Sequence, residues 1–154
     1  MKKNIILVSL SLISIVSCRN DNDVNDNSSI VGTWRMSKDL IISGKNGSVI
    51  SSDPILESDC ESKNTYTFSS DGKYSYTNYH KSNNGDCILY KSNNGTYSFS
   101  EKSKELTITL NGDPVTSKLY SFSNKEFQLI QEDDSYDYND DGINDKFITV
   151  FVKK

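Results

Sequence analysis

The sequence predicts an all-β chain, folded as a small antiparallel up-and-down barrel of about eight strands, with a β-sandwich as the alternative. Three observations carry that reading. Ser, Asn, Tyr and Thr dominate a 154-residue chain that has only two prolines; Tyr and Thr suit pleated, half-buried surfaces, while Ser and Asn suit turns. From Thr33 onward, short runs of alternating polarity are separated by turn signals. No window beyond the N-terminal apolar run has a helical period of useful length. A closed barrel removes the exposed edges of so many short strands. An immunoglobulin-type sandwich is disfavoured because Trp34 precedes both Cys60 and Cys87 instead of lying between them.

Residues 34–42 form the first extended candidate. Residues 64–68 alternate and put Tyr66 and Phe68 on one face. Ser70-Asp71-Gly72 then turns the chain into 73–77, with Tyr74 and Tyr76 on one face; Asp-Gly between alternating runs is a hairpin signal. Two copies of Lys-Ser-Asn-Asn-Gly, at 81–85 and 91–95, read as two similar turns around an optional strand at 87–90. Residues 96–99 and 106–110 follow, separated by a turn at 101–103. Asn111-Gly112-Asp113-Pro114 turns again, and 115–122, 126–131 and 146–152 complete eight main strands.

The N-terminus has its own architecture. Lys2 and Lys3 precede an apolar run from Ile5 to Val16, which is a signal-peptide pattern, too short and wrongly flanked for a membrane span. Ile15-Val16-Ser17-Cys18 resembles the lipobox of bacterial lipoproteins. That resemblance implies removal of residues 1–17, acylation of Cys18 with palmitate-class chains, and attachment to the membrane by lipid alone. Several acyl chains on one residue exceed the threshold for stable anchoring, at about 0.8 kcal/mol per buried methylene. Arg19, rather than Asp, follows the cysteine and argues for the outer membrane. Residues 18–29, rich in Asn and Asp, have too little apolar content to offset their ordering entropy and read as a flexible tether. The acidic stretch also resembles a surface-export signal of some bacterial lineages.

What remains is one domain over residues 30–154. With Lys2 and Lys3 gone, 15 of the 17 basic residues face 21 acidic ones, a net charge of −6. Such a surface repels phosphate backbones and excludes nucleic acid as a partner. Cys60 and Cys87 are then the two remaining cysteines, and an oxidising envelope makes a disulfide between them the default. They have neither CxxC spacing nor a ligand cluster that would suggest redox or zinc chemistry.

Val31-Gly32-Thr33-Trp34 resembles the opening of the lipocalin-like domains of bacterial lipoproteins, in which Gly-x-Trp begins the first barrel strand. Cys60 ahead of Thr65-Tyr66-Thr67-Phe68, the Ser70-Asp71-Gly72-Lys73 hairpin and Cys87 match as well. So do Gly95-Thr96-Tyr97-Ser98-Phe99 and Leu106-Thr107-Ile108-Thr109. The resemblance covers essentially the whole domain and implies a lipocalin-type barrel that binds and does not catalyse. The Thr-Asp-Tyr motif of well-studied lipocalins has no counterpart, so their ligands do not transfer. Alternation lines the interior with Tyr66, Phe68, Tyr74, Tyr76, Tyr97, Phe99, Leu106 and Ile108. Aromatics with hydroxyl tips suit a pocket for a small, partly apolar ligand, and they equally suit a filled core. Trp34 reads as a plug at the closed end.

Asp137-Tyr138-Asn139-Asp140-Asp141-Gly142-Ile143-Asn144-Asp145 fits D-x-N-x-D-G-x-x-D. The spacing offers calcium the side chains of Asp137, Asn139 and Asp141, the carbonyl of Ile143, and Asp145 directly or through water. It resembles the calcium loops of EF-hands and thrombospondin-type repeats, but Ile148 stands where an EF-hand has its bidentate Glu. Two readings fit: a weak structural calcium site, or a solvated Asp/Asn/Gly turn. For catalysis the sequence offers little. His80 is the single histidine, in a polar, turn-like stretch, and no G-x-S-x-G, phosphate-binding glycine loop or HExxH occurs. The sequence points to a lipid-anchored, non-catalytic binding protein of the envelope, with a surface interaction or envelope-structural module as the alternative.

Overall fold

The computed structural model describes residues 29–131 and 136–154. The signal, Cys18 and all of the tether except Ser29 lie outside the described residues. Nine strands form one sheet: β1 (Gly32–Ile42), β2 (Val49–Pro54), β3 (Thr65–Phe68), β4 (Lys73–Lys81), β5 (Cys87–Ser100), β6 (Glu105–Leu110), β7 (Asp113–Phe122), β8 (Glu126–Ile130) and β9 (Lys146–Lys153). All pairings are antiparallel, in the order β2-β1-β3 and then in chain order to β9, and β1 also pairs with β9. The result is a closed eight-stranded barrel with β2 as an extra strand. Residues 32–34 of β1 pair with β3, and residues 38–42 of the same edge pair with β2. Ser37 bulges between those two stretches, so the strand bends where it changes partner.

One end of the barrel is closed by short turns and rings. Asp71-Gly72 reverses the chain between β3 and β4, with Gly72 at φ 80°. Trp34 is fully buried, packs edge-on against Phe127, and its indole N–H donates to the Ile30 carbonyl at 2.7 Å. Phe127 stacks on Phe151, and Phe68 meets both Tyr74 and Tyr97. Such ring pairs contribute roughly 0.5–1.5 kcal/mol each beyond the area they bury. A second cluster, Leu40, Ile42, Ile148 and Val150, with Tyr120 and Ile130 against it, lies on the other face of β9 from Phe151 and Thr149. Both faces of β9 are therefore buried.

Three expectations need correction. The optional strand at 87–90 and the strand at 96–99 are one 14-residue strand, β5, and the second Lys-Ser-Asn-Asn-Gly lies inside it. There Lys91, Ser92 and Asn93 face Asn78, Thr77 and Tyr76 of β4. A formed partner strand outweighs the local turn preference of Ser, Asn and Gly. The first copy does turn, with Gly85 at φ 90° and its N–H on the Ser82 carbonyl at 2.9 Å. His80 consequently belongs to β4 and not to a turn. Strand β2 was not expected at all. Pro114 is also inside a strand, because Asn111 and Gly112, both at positive φ, complete the β6–β7 turn by themselves.

Candidate functional site at the open end of the barrel

The opposite end carries the longer connections and two hollows. β8 pairs with β7 only at Leu119–Phe122, so the first part of β7 is bonded to β6 alone among the described residues. The wall opens there onto a cavity of about 230 Å³. Leu106, Ile108 and Leu110 of β6, together with Val115 and Leu129, make its sides apolar. Its polar groups are Tyr74, Ser117 and Asp113. Alternation explains the set: residues 106, 108 and 110 share the face that β6 turns inward with buried Leu106. Burial raises the Tyr74 hydroxyl well above the ordinary tyrosine range, with nearby Tyr66 and Tyr76 adding to the shift. It stays a neutral hydroxyl at physiological pH.

A second hollow of about 190 Å³ lies along β1 and β2, lined by Asp39, Ile41, Ser51, Asp53 and Phe147 among others. Asp39 and Asp53 are direct cross-strand partners. Asp39 accepts a hydrogen bond from the buried Thr149 hydroxyl at 2.8 Å, and that hydroxyl accepts one from Gln131 at 2.9 Å.

Of the six aromatics expected to meet a ligand, Tyr74 lines the first cavity. Phe68 and Tyr76 are buried in the core, with Tyr66, Tyr97 and Phe99 packed against it. Tyr66 donates to the Met36 sulfur at 3.4 Å and Tyr97 to the Ser69 carbonyl at 2.9 Å, so both hydroxyls are engaged within the protein. Leu106 and Ile108, also expected inside, line the cavity; Leu110, Asp113, Val115, Ser117 and Leu129 were missed. Their role depends on where β8 stops pairing with β7, which no local pattern announces.

Cys60 and Cys87 are bonded to each other. Cys60 is buried in a single 3₁₀ turn, Cys60–Lys63, and the bond pins that turn to the tip of the β4–β5 arm, where Cys87 pairs with Lys81 beside the connecting turn. Asn64 reinforces the junction: its side-chain oxygen accepts from the Tyr79 N–H at 2.7 Å, beside the register shift of β4. Farther along β5, Ile88, Leu89 and Tyr90 are exposed, and the His80 ring meets Tyr90 edge-on.

In the acidic loop, Asp137 accepts from the N–H groups of Asp141 (3.0 Å) and Gly142 (2.6 Å). Asn139 also accepts from Asp141 N–H, at 3.1 Å, and Asp141 accepts from Ile143 N–H at 3.0 Å. The Gly142 amide, foremost among these donors, holds the Asp137 carboxyl below its ordinary range. Asp145 is committed elsewhere. It is buried, and its two oxygens accept from Gly44 N–H at 3.1 Å and Tyr138 N–H at 2.7 Å. The structure thus brings Asp137, Asn139 and Asp141 together through shared amides, while Asp145 ties the loop to the β1–β2 turn. Among the described residues, no three His, Cys, Asp or Glu side chains converge as a metal-binding group.

A barrel with one plugged and one open end agrees with what the chain matches: the lipocalin-like domain family, over residues 30–129. The chain belongs to that family. Among solved structures it is similar to a lipocalin-like protein from Bacteroides uniformis, with 16% identity, a TM-score of 0.47, and coverage of 80% of this chain and 97% of that one. No curated protein matches it. For a lipocalin-like barrel, the open-end cavity is the natural place to look for a small apolar ligand.

Proposed function

We infer that this lipocalin-like chain is a non-catalytic binding lipoprotein, held in the bacterial envelope by acylated Cys18, that takes a small, partly apolar molecule into the β6–β7 cavity. The cavity carries the binding reading: apolar walls, a few polar groups, and an opening where β7 lacks a second neighbour. The lipobox-like Ile15-Val16-Ser17-Cys18 and the two lysines before the apolar run support the anchoring, with the outer membrane as the destination. Native mass spectrometry of the chain purified from an oxidising host tests the binding, and a co-purifying small molecule is the expected result. A clean apo mass that persists after exposure to envelope extract would sink it. Metabolic labelling with palmitate tests the anchor; the label is expected on the wild type and absent from Cys18→Ser.

A surface interaction module is the second reading, favoured by exposed Ile88, Leu89 and Tyr90 on the projecting β4–β5 arm. Calcium belongs to either reading as a structural ion, bound by Asp137, Asn139, Asp141 and the Ile143 carbonyl. The loop lacks a bidentate Glu, so its affinity falls in the range of extracellular modules, about 10⁻⁴ to 10⁻³ M. A calorimetric titration is expected to give binding that Asp141→Ala abolishes. Absence of heat at millimolar calcium would reduce the loop to a turn.

A further inference from the structure

We propose that the ligand of the β6–β7 cavity is a small organic amine with an apolar body and a hydrogen-bonding oxygen at the end away from the nitrogen. This rests on the binding reading above and adds the chemistry of the ligand. Two polar groups of the cavity carry it, one near each end of the barrel.

Asp113 follows the Asn111-Gly112 turn and lies exposed at the open end. Among the described residues it is the one charged residue lining the cavity, and no ion pair engages it there. A carboxylate or phosphate on the ligand would meet like charge beside an apolar wall, where screening is weaker than in bulk water. An ammonium would meet its counter-charge there.

Tyr74, the second residue of β4, lies toward the closed end and is only 6% exposed. Its hydroxyl has no hydrogen-bond partner on the protein among the described residues, unlike those of Tyr66 and Tyr97. Among the described residues, the buried side-chain polar atom without a partner is Asn78 Oδ1, so the Tyr74 hydroxyl oxygen is not sealed off. A ligand oxygen can therefore reach it from the cavity. Like any tyrosine hydroxyl at physiological pH it is neutral, so it can both donate to and accept from a ligand oxygen.

The space between sets the body. Tyr74, Gly95, Leu110 and Asp113 lie on one register row, so the two polar groups are three interstrand spacings apart, about 14 Å along the curved sheet. Its volume of about 230 Å³ equals the share of roughly eight waters, which suits a body of about eight to twelve heavy atoms. A single ring with a short aminoalkyl chain has that size and that separation of oxygen from nitrogen.

Four probes of one shape test the proposal on the purified chain, by calorimetry or by amide chemical shifts. Tyramine carries both polar ends, phenethylamine only the nitrogen, and 4-ethylphenol only the oxygen. In 3-(4-hydroxyphenyl)propionate a carboxylate replaces the amine. Tyramine is expected to bind about fivefold more tightly than either single-ended probe, the scale of one partly exposed ion pair or one hydrogen bond, and the propionate more weakly than 4-ethylphenol. Asp113→Asn should erase the advantage of tyramine over 4-ethylphenol, and Tyr74→Phe its advantage over phenethylamine. Both variants keep the shape of the original side chain. If 4-ethylphenol or the propionate binds as tightly as tyramine, the amine proposal falls while the binding reading stands. If none of the four binds at millimolar concentration, the amine proposal falls too, and native mass spectrometry then decides the binding reading by itself.

Discussion

The two ends of this barrel divide stability from binding. At the closed end, Trp34, Phe68, Phe127 and Phe151 interlock, and Tyr97 spends its hydroxyl on the Ser69 carbonyl. Turns there are short, and the buried N–H of Trp34 is satisfied. At the open end, β7 and β5 each run past the strand that should cover their second edge, and Leu110, Asp113 and Val115 line the cavity left there. A core that fills completely has nothing left to offer a ligand. A wall left incomplete does, provided the rest of the molecule stabilises it.

Substitutions should separate the two ends. Trp34→Ala removes the largest fully buried side chain and a satisfied N–H, and is expected to cost about 3–5 kcal/mol in urea unfolding. A loss under 1 kcal/mol would mean that the closed end is not what holds the barrel. Replacing both Cys60 and Cys87 by Ser comes next. The bond closes a loop with a sequence separation of 27, and its removal should cost about 3 kcal/mol, mostly by freeing the unfolded chain. Cavity binding should survive, because neither cysteine lines the cavity; loss of binding in folded protein would show that the arm shapes the pocket. Asp145→Ala follows at about 2 kcal/mol, because two backbone amides lose a charged acceptor. Its effect should concentrate in faster hydrogen exchange of the Gly44 and Tyr138 amides. An even loss of protection across the barrel would assign Asp145 to the global core instead.

How much of this was legible depends on how local each signal is. The Asp71-Gly72 and Asn111-Gly112 turns need positive φ at their glycines, and the sequence declares that directly. Alternation identified Leu106, Ile108 and Tyr74 as inward residues, whereas Trp34 was read as a plug through the Gly-x-Trp resemblance. Strand β2 escaped because five of its six residues are exposed, so no apolar face had to be encoded. The two Lys-Ser-Asn-Asn-Gly copies make the limit plain. Gly85 supplies the positive φ of a turn, whereas a Cβ on Gly95 would run into the Thr109 carbonyl and Leu110. One glycine is there for its φ and the other for close approach of strands, and an identical pentapeptide cannot say which. The cavity escaped for a related reason: its mouth is an accident of register between β7 and β8.

The smallest predicted effect lies in the acidic loop and tests how independent the open end is. Backbone N–H groups, that of Gly142 first, stabilise the ionised Asp137 and lower its pKa below the ordinary 3.8. A lowered folded-state value means that the unfolded loop binds the proton more readily. The stabilisation is therefore complete above about pH 4 and is lost as the pH falls through the folded value. Asp137 is only partly buried, so the effect is screened by solvent and confined to the loop. The Gly142 amide resonance should titrate with an apparent pKa below 3.8, and Asp137→Asn should flatten that curve. Methyl resonances of Leu106 and Phe127 ring signals should stay still over the same range. If they moved together with Gly142, the loop and the closed end would form one cooperative unit, and the division between the two ends would not hold.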